Sequence, residues 1–117
     1  MICLNNESGV ICVESAVYTT IAGYAATSCF GVKGMAVRSV TDGLVHLLRR
    51  EAMGKGVRVT FNDDDSISID LHIMVDRGVN LSAISNSIIE QVRYQVTKAT
   101  GTEVRAINVF VDSVNPE

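Results

Sequence analysis

The chain has 117 residues, 47% of them hydrophobic and 20% charged, with a formal net charge of −3. That is the length of one domain, spanning residues 1–117, with enough apolar residues to build a core and too many for a disordered chain. The acidic balance argues against nucleic acid as a partner and against direct docking on anionic lipid, and no run approaches the ~18 apolar residues of a membrane span.

Residues 1–8 look like a loose lead-in, without the basic region, apolar run and cleavage site of a secretory leader. The apolar run Gly9 to Val13 predicts a strand. Ser15 suits a helix N-cap, since its hydroxyl can accept from the free N–H groups of the first turn. Val17, Ile21, Tyr24, Ala25 and Cys29 follow at helical spacing, and Gly31 stands where a left-handed residue would stop that helix. Val32 to Val40 reads as extended, with Gly34 as a bulge. Thr41 and Asp42 open a short helical pattern with the apolar stripe Leu44, Leu47 and Leu48, and Gly54 and Gly56 close it.

The clearest segment follows. Val57, Val59 and Phe61 alternate with polar residues, and so do Ile67, Ile69, Leu71, Ile73 and Val75. A period of two means strands with one buried face, and Asp63, Asp64 and Asp65 make the turn of an antiparallel hairpin. Asn80 then suits the N-cap of a long helix, with Val79 and Ile84 placed as a hydrophobic staple. Leu81, Ile84, Ile88, Val92, Val96 and Ala99 form its stripe, and Gly101 ends it. Val104 to Val114 is a last strand with Ile107, Val109 and Val111 on one face. Helices with one apolar stripe and strands with one apolar face predict an α+β, two-layer sandwich, with helices packed on one face of a mixed or antiparallel sheet.

Reactive side chains are sparse. Cys3, Cys12 and Cys29 are odd in number, widely spaced and without a C-x-x-C pair, which points to free thiols in a reducing cytosol. Cys12 and Cys29 lie in apolar stretches, where Cys serves as a small hydrophobe. With His46 and His72 they would form a zinc site only if folding happened to gather them, so neither metal nor cofactor is expected. His72 follows Asp70 on the same strand face, but an acid–base pair also needs a nucleophile or a substrate cleft, and no catalytic motif is present. His46 belongs to the polar side of the short helix. The consecutive acids at 63–65 lack the alternating ligands and central Gly of a calcium loop.

Two features point to binding. Gly31-Val32-Lys33-Gly34 matches the GXXG pattern of KH domains, and Arg49, Arg50, Lys55 and Arg58 are the densest positive cluster. Together they make a small RNA-binding module the alternative reading, although a helix stop and a solvated helix end account for the same residues. Phe110 points away from Ile107, Val109 and Val111, and Met74 is out of phase with the apolar set of its strand. Large apolar side chains on the wetter sheet face suggest a contact surface.

The order and spacing of Gly9-Val10-Ile11-Cys12-Val13, Ala22-Gly23-Tyr24-Ala25-Ala26, Gly31-Val32-Lys33-Gly34-Met35, Asp42-Gly43-Leu44, Gly56-Val57-Arg58-Val59, Ile69 to Val75, Thr100-Gly101 and Ile107-Asn108-Val109 resemble the alkaline-shock-protein family of cell-envelope stress response, in its compact Firmicutes form. One departure is Arg77 before Gly78, where the family often carries an aromatic residue. The resemblance implies a non-enzymatic, cytoplasmic protein of Gram-positive bacteria. It implies self-association into a homo-oligomer and a position at the membrane through a membrane-anchored partner.

Overall fold

Strict alternation along residues 67–76 sets the centre of the molecule. In the computed structural model, which describes residues 1–38, 45–47 and 56–115 (without side chains at 35–38 and 45–47), this segment is strand β6 (Ile67–Asp76), numbered by its place among the seven strands of the described residues. Ile67, Ile69, Leu71, Ile73 and Val75 are wholly buried, and the residues between them are half-buried on the opposite face. Strand β5 (Val57–Phe61) runs antiparallel to the first half of β6, from Phe61 opposite Ile67 to Val57 opposite Leu71. Strand β3 (Val32–Arg38) runs antiparallel to the second half, with Met35 opposite Ile73 and a register shift between Val32 and Gly34. Strand β7 (Val104–Asn115) lies parallel to β6 along its whole length. A strand has only two edges, so β3 and β5 share one edge of β6 end to end, and β7 has the other to itself. The mixed sheet is completed by β4 (Val45–Leu47), antiparallel to β3.

Parallel neighbours need a crossover. Helix α2 (Leu81–Thr100) supplies it between β6 and β7, and buries Ile84, Ile88, Val92 and Val96 against the odd-numbered face of β6. Its ends follow from local chemistry. The Asn80 side chain accepts from the Ala83 N–H at 3.0 Å. Gly101 takes φ 74° and returns its N–H to the Thr97 carbonyl at 2.8 Å. Helix α1 (Ser15–Thr27) packs beside it on the same core. Sequence spacing therefore locates α2 correctly, except that Leu81 and Ala99, at the ends of the stripe, are exposed.

Five expectations are corrected in the first half of the chain. Helix α1 begins with Ser15 inside it; Glu14 holds the cap position and makes no side-chain cap bond. The buried side of α1 is Tyr18, Ala22, Ala25 and Ala26, whereas Val17 and Tyr24 face outward. Small residues let the helix approach the sheet closely, and Tyr18 is admitted because its hydroxyl shares a 2.7 Å hydrogen bond with buried Thr102. Its ring meets Phe61 edge-on at 6.0 Å.

Residues 1–8 are not a loose lead-in. Strand β1 (Ile2–Asn6) pairs antiparallel with β2 (Gly9–Val13) as a separate two-stranded ribbon, and Ile2 enters the main core. Cys3 stands directly opposite Cys12 in this register and the two sulfurs are bonded, so these residues are not free thiols. Distance in sequence gave the wrong impression, because a hairpin turn cancels it. Cys29 is the buried thiol among the described cysteines, packed into the core as a small hydrophobe.

The short helix expected from Thr41 to Glu51 is interrupted by β4, whose Val45, His46 and Leu47 pair with Arg38, Val37 and Ala36. The unpaired edge of β3 offers backbone partners that outweigh a weak helical stripe. The flanking residues 39–44 and 48–55 lie outside the described residues.

Candidate interaction face

The helices cover one face of the sheet. The other face is carried by the even-numbered residues of β6 and their neighbours in register. Across it, Asp70 stands between Arg58 on β5 and Asn108 on β7, and His72 stands beside Phe110. The Asn108 side-chain amide donates to the Asp70 carboxylate at 2.9 Å. The His72 ring stacks on Phe110, with centroids 4.8 Å apart and planes 15° from parallel. The His72 Nδ1–H donates to the Asp112 carboxylate at 2.9 Å.

That last contact lies at an irregularity in β7. Val111 opposes Ile73 and Ser113 opposes Met74, so Asp112 is the extra residue of a bulge. The Asp112 carboxylate lies at the sheet surface, with only 8% of its side chain exposed. Asp112 fixes the imidazole, the imidazole supports one face of Phe110, and Phe110 is still 44% exposed. An aromatic ring held in place while open to solvent suits a contact with another molecule, because little side-chain freedom remains to be lost on binding.

The candidate residues fare unequally. Phe110 and Met74 both lie on this face as expected, Phe110 exposed and Met74 half-buried. Arg58 is exposed on β5 of the same sheet. Arg49, Arg50 and Lys55 lie outside the described residues, as does the side chain of His46. Asp70 and His72 do share a face, but each is engaged by a different residue of β7, so they do not form an acid–base pair with one another.

The Gly31 to Gly34 segment has a packing role. It joins α1 to β3, not two helices as in a KH domain. Gly31 has φ +90°, and a Cβ placed there would come within 2.8 Å of Ile84 Cδ1 and 3.0 Å of Val79 Cγ1. Its carbonyl accepts from the Asp76 N–H at 2.8 Å, and Lys33 reaches the Asp76 carboxylate at 3.5 Å. The glycine thus lets the start of α2 close onto the loop. Burial pushes the nearby Cys29 thiol up from its ordinary pKa, partly offset by a hydrogen bond with Ser87.

Two features escaped the sequence. Phe30 is 94% exposed at the end of α1, and hollows on either side of it are lined by Val79, Ala83 and Ile84 and by Tyr24, Cys29 and Gln91. A large aromatic beside Gly31 was the available signal, although that glycine does not stop the helix as expected: α1 ends at Thr27 with Ser28 as its cap. The edge of β7 turned away from β6 has no partner strand among the described residues, and only knowledge of the parallel placement reveals it. Among the described residues no helix is long and apolar enough to cross a membrane, and no group of three or more Cys, His, Asp or Glu is placed to hold a metal.

Compared with known proteins, the chain matches the family of alkaline shock protein 23, described as having a cell envelope-related function, over residues 3–116. The chain belongs to this family. Its similarity extends to the uncharacterized protein YloU of Bacillus subtilis, 33% identical over 112 residues that cover 95% of this chain and 92% of the relative. The uncharacterized protein Spy1614 of Streptococcus pyogenes is 35% identical over the same shares. A second Bacillus subtilis protein, the uncharacterized YqhY, is 31% identical over 88% of this chain and 75% of its own. No solved structure matches the chain. The alkaline-shock resemblance and the α+β sandwich both stand, and the envelope-related description now attaches to the family as a whole.

Proposed function

We propose that this alkaline-shock-family protein is a non-enzymatic scaffold or adaptor of cell-envelope homeostasis. It assembles with copies of itself on the cytoplasmic side and reaches the membrane through an anchored partner. The observation that carries the reading is Phe110, held by His72 and Asp112 yet open to solvent, on a strand whose outer edge is unpaired among the described residues. An open edge offers backbone donors and acceptors to a second strand, and a fixed aromatic beside it offers apolar area. The family's envelope-related description supplies the cellular setting.

The test is the mass in solution by size exclusion with light scattering across a concentration series. The wild type is expected to grow in mass with concentration, and Phe110→Glu to stay a monomer over the same range. A wild-type monomer throughout, or an oligomer indifferent to Phe110→Glu, contradicts assembly through this face.

A further inference from the structure

The N-terminal ribbon is attached to the body by little more than its base. Ile2 is 4% exposed in the core, and Val13, its partner in register, packs against the same core. One step outward stand Cys3 and Cys12, directly opposite, bonded and exposed. Beyond them Leu4, Val10 and Ile11 are all exposed, and no third strand joins the ribbon among the described residues. A two-stranded hairpin without a third strand or a covering helix is marginal in water. The cross-link at the base therefore decides whether β1 stays in place. Without it, β1 is held by its backbone pairs with β2 and by one buried side chain.

We infer that Cys3 and Cys12 are a reversible redox latch on strand β1. The oxidant is a low-molecular-weight disulfide, RSSR. One cysteine loses its proton and its thiolate attacks RSSR, forming a protein mixed disulfide and releasing RS⁻. The second cysteine, also deprotonated, attacks the protein sulfur of that mixed disulfide and releases the second RS⁻. Two protons leave the protein and two electrons pass to RSSR, which becomes two RSH; excess RSH reverses both steps. Opening the latch frees Ile2 to leave the core and uncovers the edge of β2 beside Val10 and Ile11. Exposure of both residues gives small thiols a route to the bond that exchange requires. Cys29 is an internal reference: it is buried and its thiol donates to the Ala25 carbonyl at 3.5 Å. The latch is independent of the assembly face, since the ribbon is a separate sheet.

The experiment poises the full chain in glutathione buffers stepped from reduced to oxidised. Samples are quenched in acid, unfolded, alkylated with N-ethylmaleimide and weighed intact. Three adducts are expected at the reducing end and one at the oxidising end, the chain having three cysteines. Hydrogen exchange across residues 2–6 should run about tenfold or more faster in the reduced form, with α2 unchanged. The variant Cys3→Ser with Cys12→Ser should exchange like the reduced form in every buffer, and the wild-type comparison decides even if that variant folds poorly. Three adducts at every ratio, glutathione adducts in place of the internal bond, or equal exchange at residues 2–6 in both forms would each overturn the inference.

Discussion

The two faces of β6 are made by one strand and answer to different demands. On one face, five consecutive odd-numbered positions are wholly buried aliphatics under α1 and α2. On the other, Asp70 and His72 are each engaged from β7, and an aromatic ring is held in the open. The first face obeys the rule that apolar area leaves water. The second uses a hydrogen bond to hold the ring that supports Phe110, which keeps 44% of its surface exposed. Side chains on the inner face should therefore govern stability, and those on the outer face should govern association.

The largest expected effect comes from the inner face. Leu71→Ala removes a fully buried side chain from the middle of the central strand and should cost about 2–5 kcal/mol, read as a lower urea midpoint. Phe110→Ala on the neighbouring strand should cost about 0.5 kcal/mol or less. Equal losses at the two positions would break the contrast between the faces.

A smaller effect tests the join between the layers. Gly31→Ala forces a Cβ against Ile84 and Val79 at a positive φ and should destabilise by about 1–3 kcal/mol. If the glycine instead served an RNA contact, the substitution would leave the urea midpoint unmoved and lower retention of RNA at low salt.

The smallest effect lies at the hairpin tip, away from both faces. Asp64 accepts from the Ser66 hydroxyl and N–H, and these bonds, with a lesser pull from Arg105 at 2.8 Å, hold its carboxyl below the ordinary 3.8. A lowered folded-state pKa stabilises the fold above the unfolded value, and the contribution fades as pH falls from 3.8 through the folded value. Thermal melts between neutral and acid pH should show a shallower acid decline in Asp64→Asn than in the wild type. An identical decline would mean that the exposed turn contributes nothing.

Legibility in the sequence followed the strength of the local pattern. The hairpin of β5 and β6 and the caps of α2 were readable, because alternation, Asn80 and Gly101 each have one physical meaning in their context. Phe110 and Met74 were placed on the outer face by the same alternation. Helix α1 was recognised but its buried side was misjudged, since Tyr18 is buried for its hydrogen bond to a residue 84 positions away. The stacking of His72 on Phe110 and the reach of Asp112 depend on the parallel register of β7 and its bulge, neither of which has a local signature. The bonded cysteines went unseen because a hairpin of mostly exposed residues carries a weak apolar pattern.

The most direct test of the division between the faces combines two readings on one variant, Phe110→Glu: its mass against concentration and its urea midpoint. Self-association should be lost while the midpoint stays within about 0.5 kcal/mol of the wild type. Retained association, or association lost only together with the fold, would contradict it.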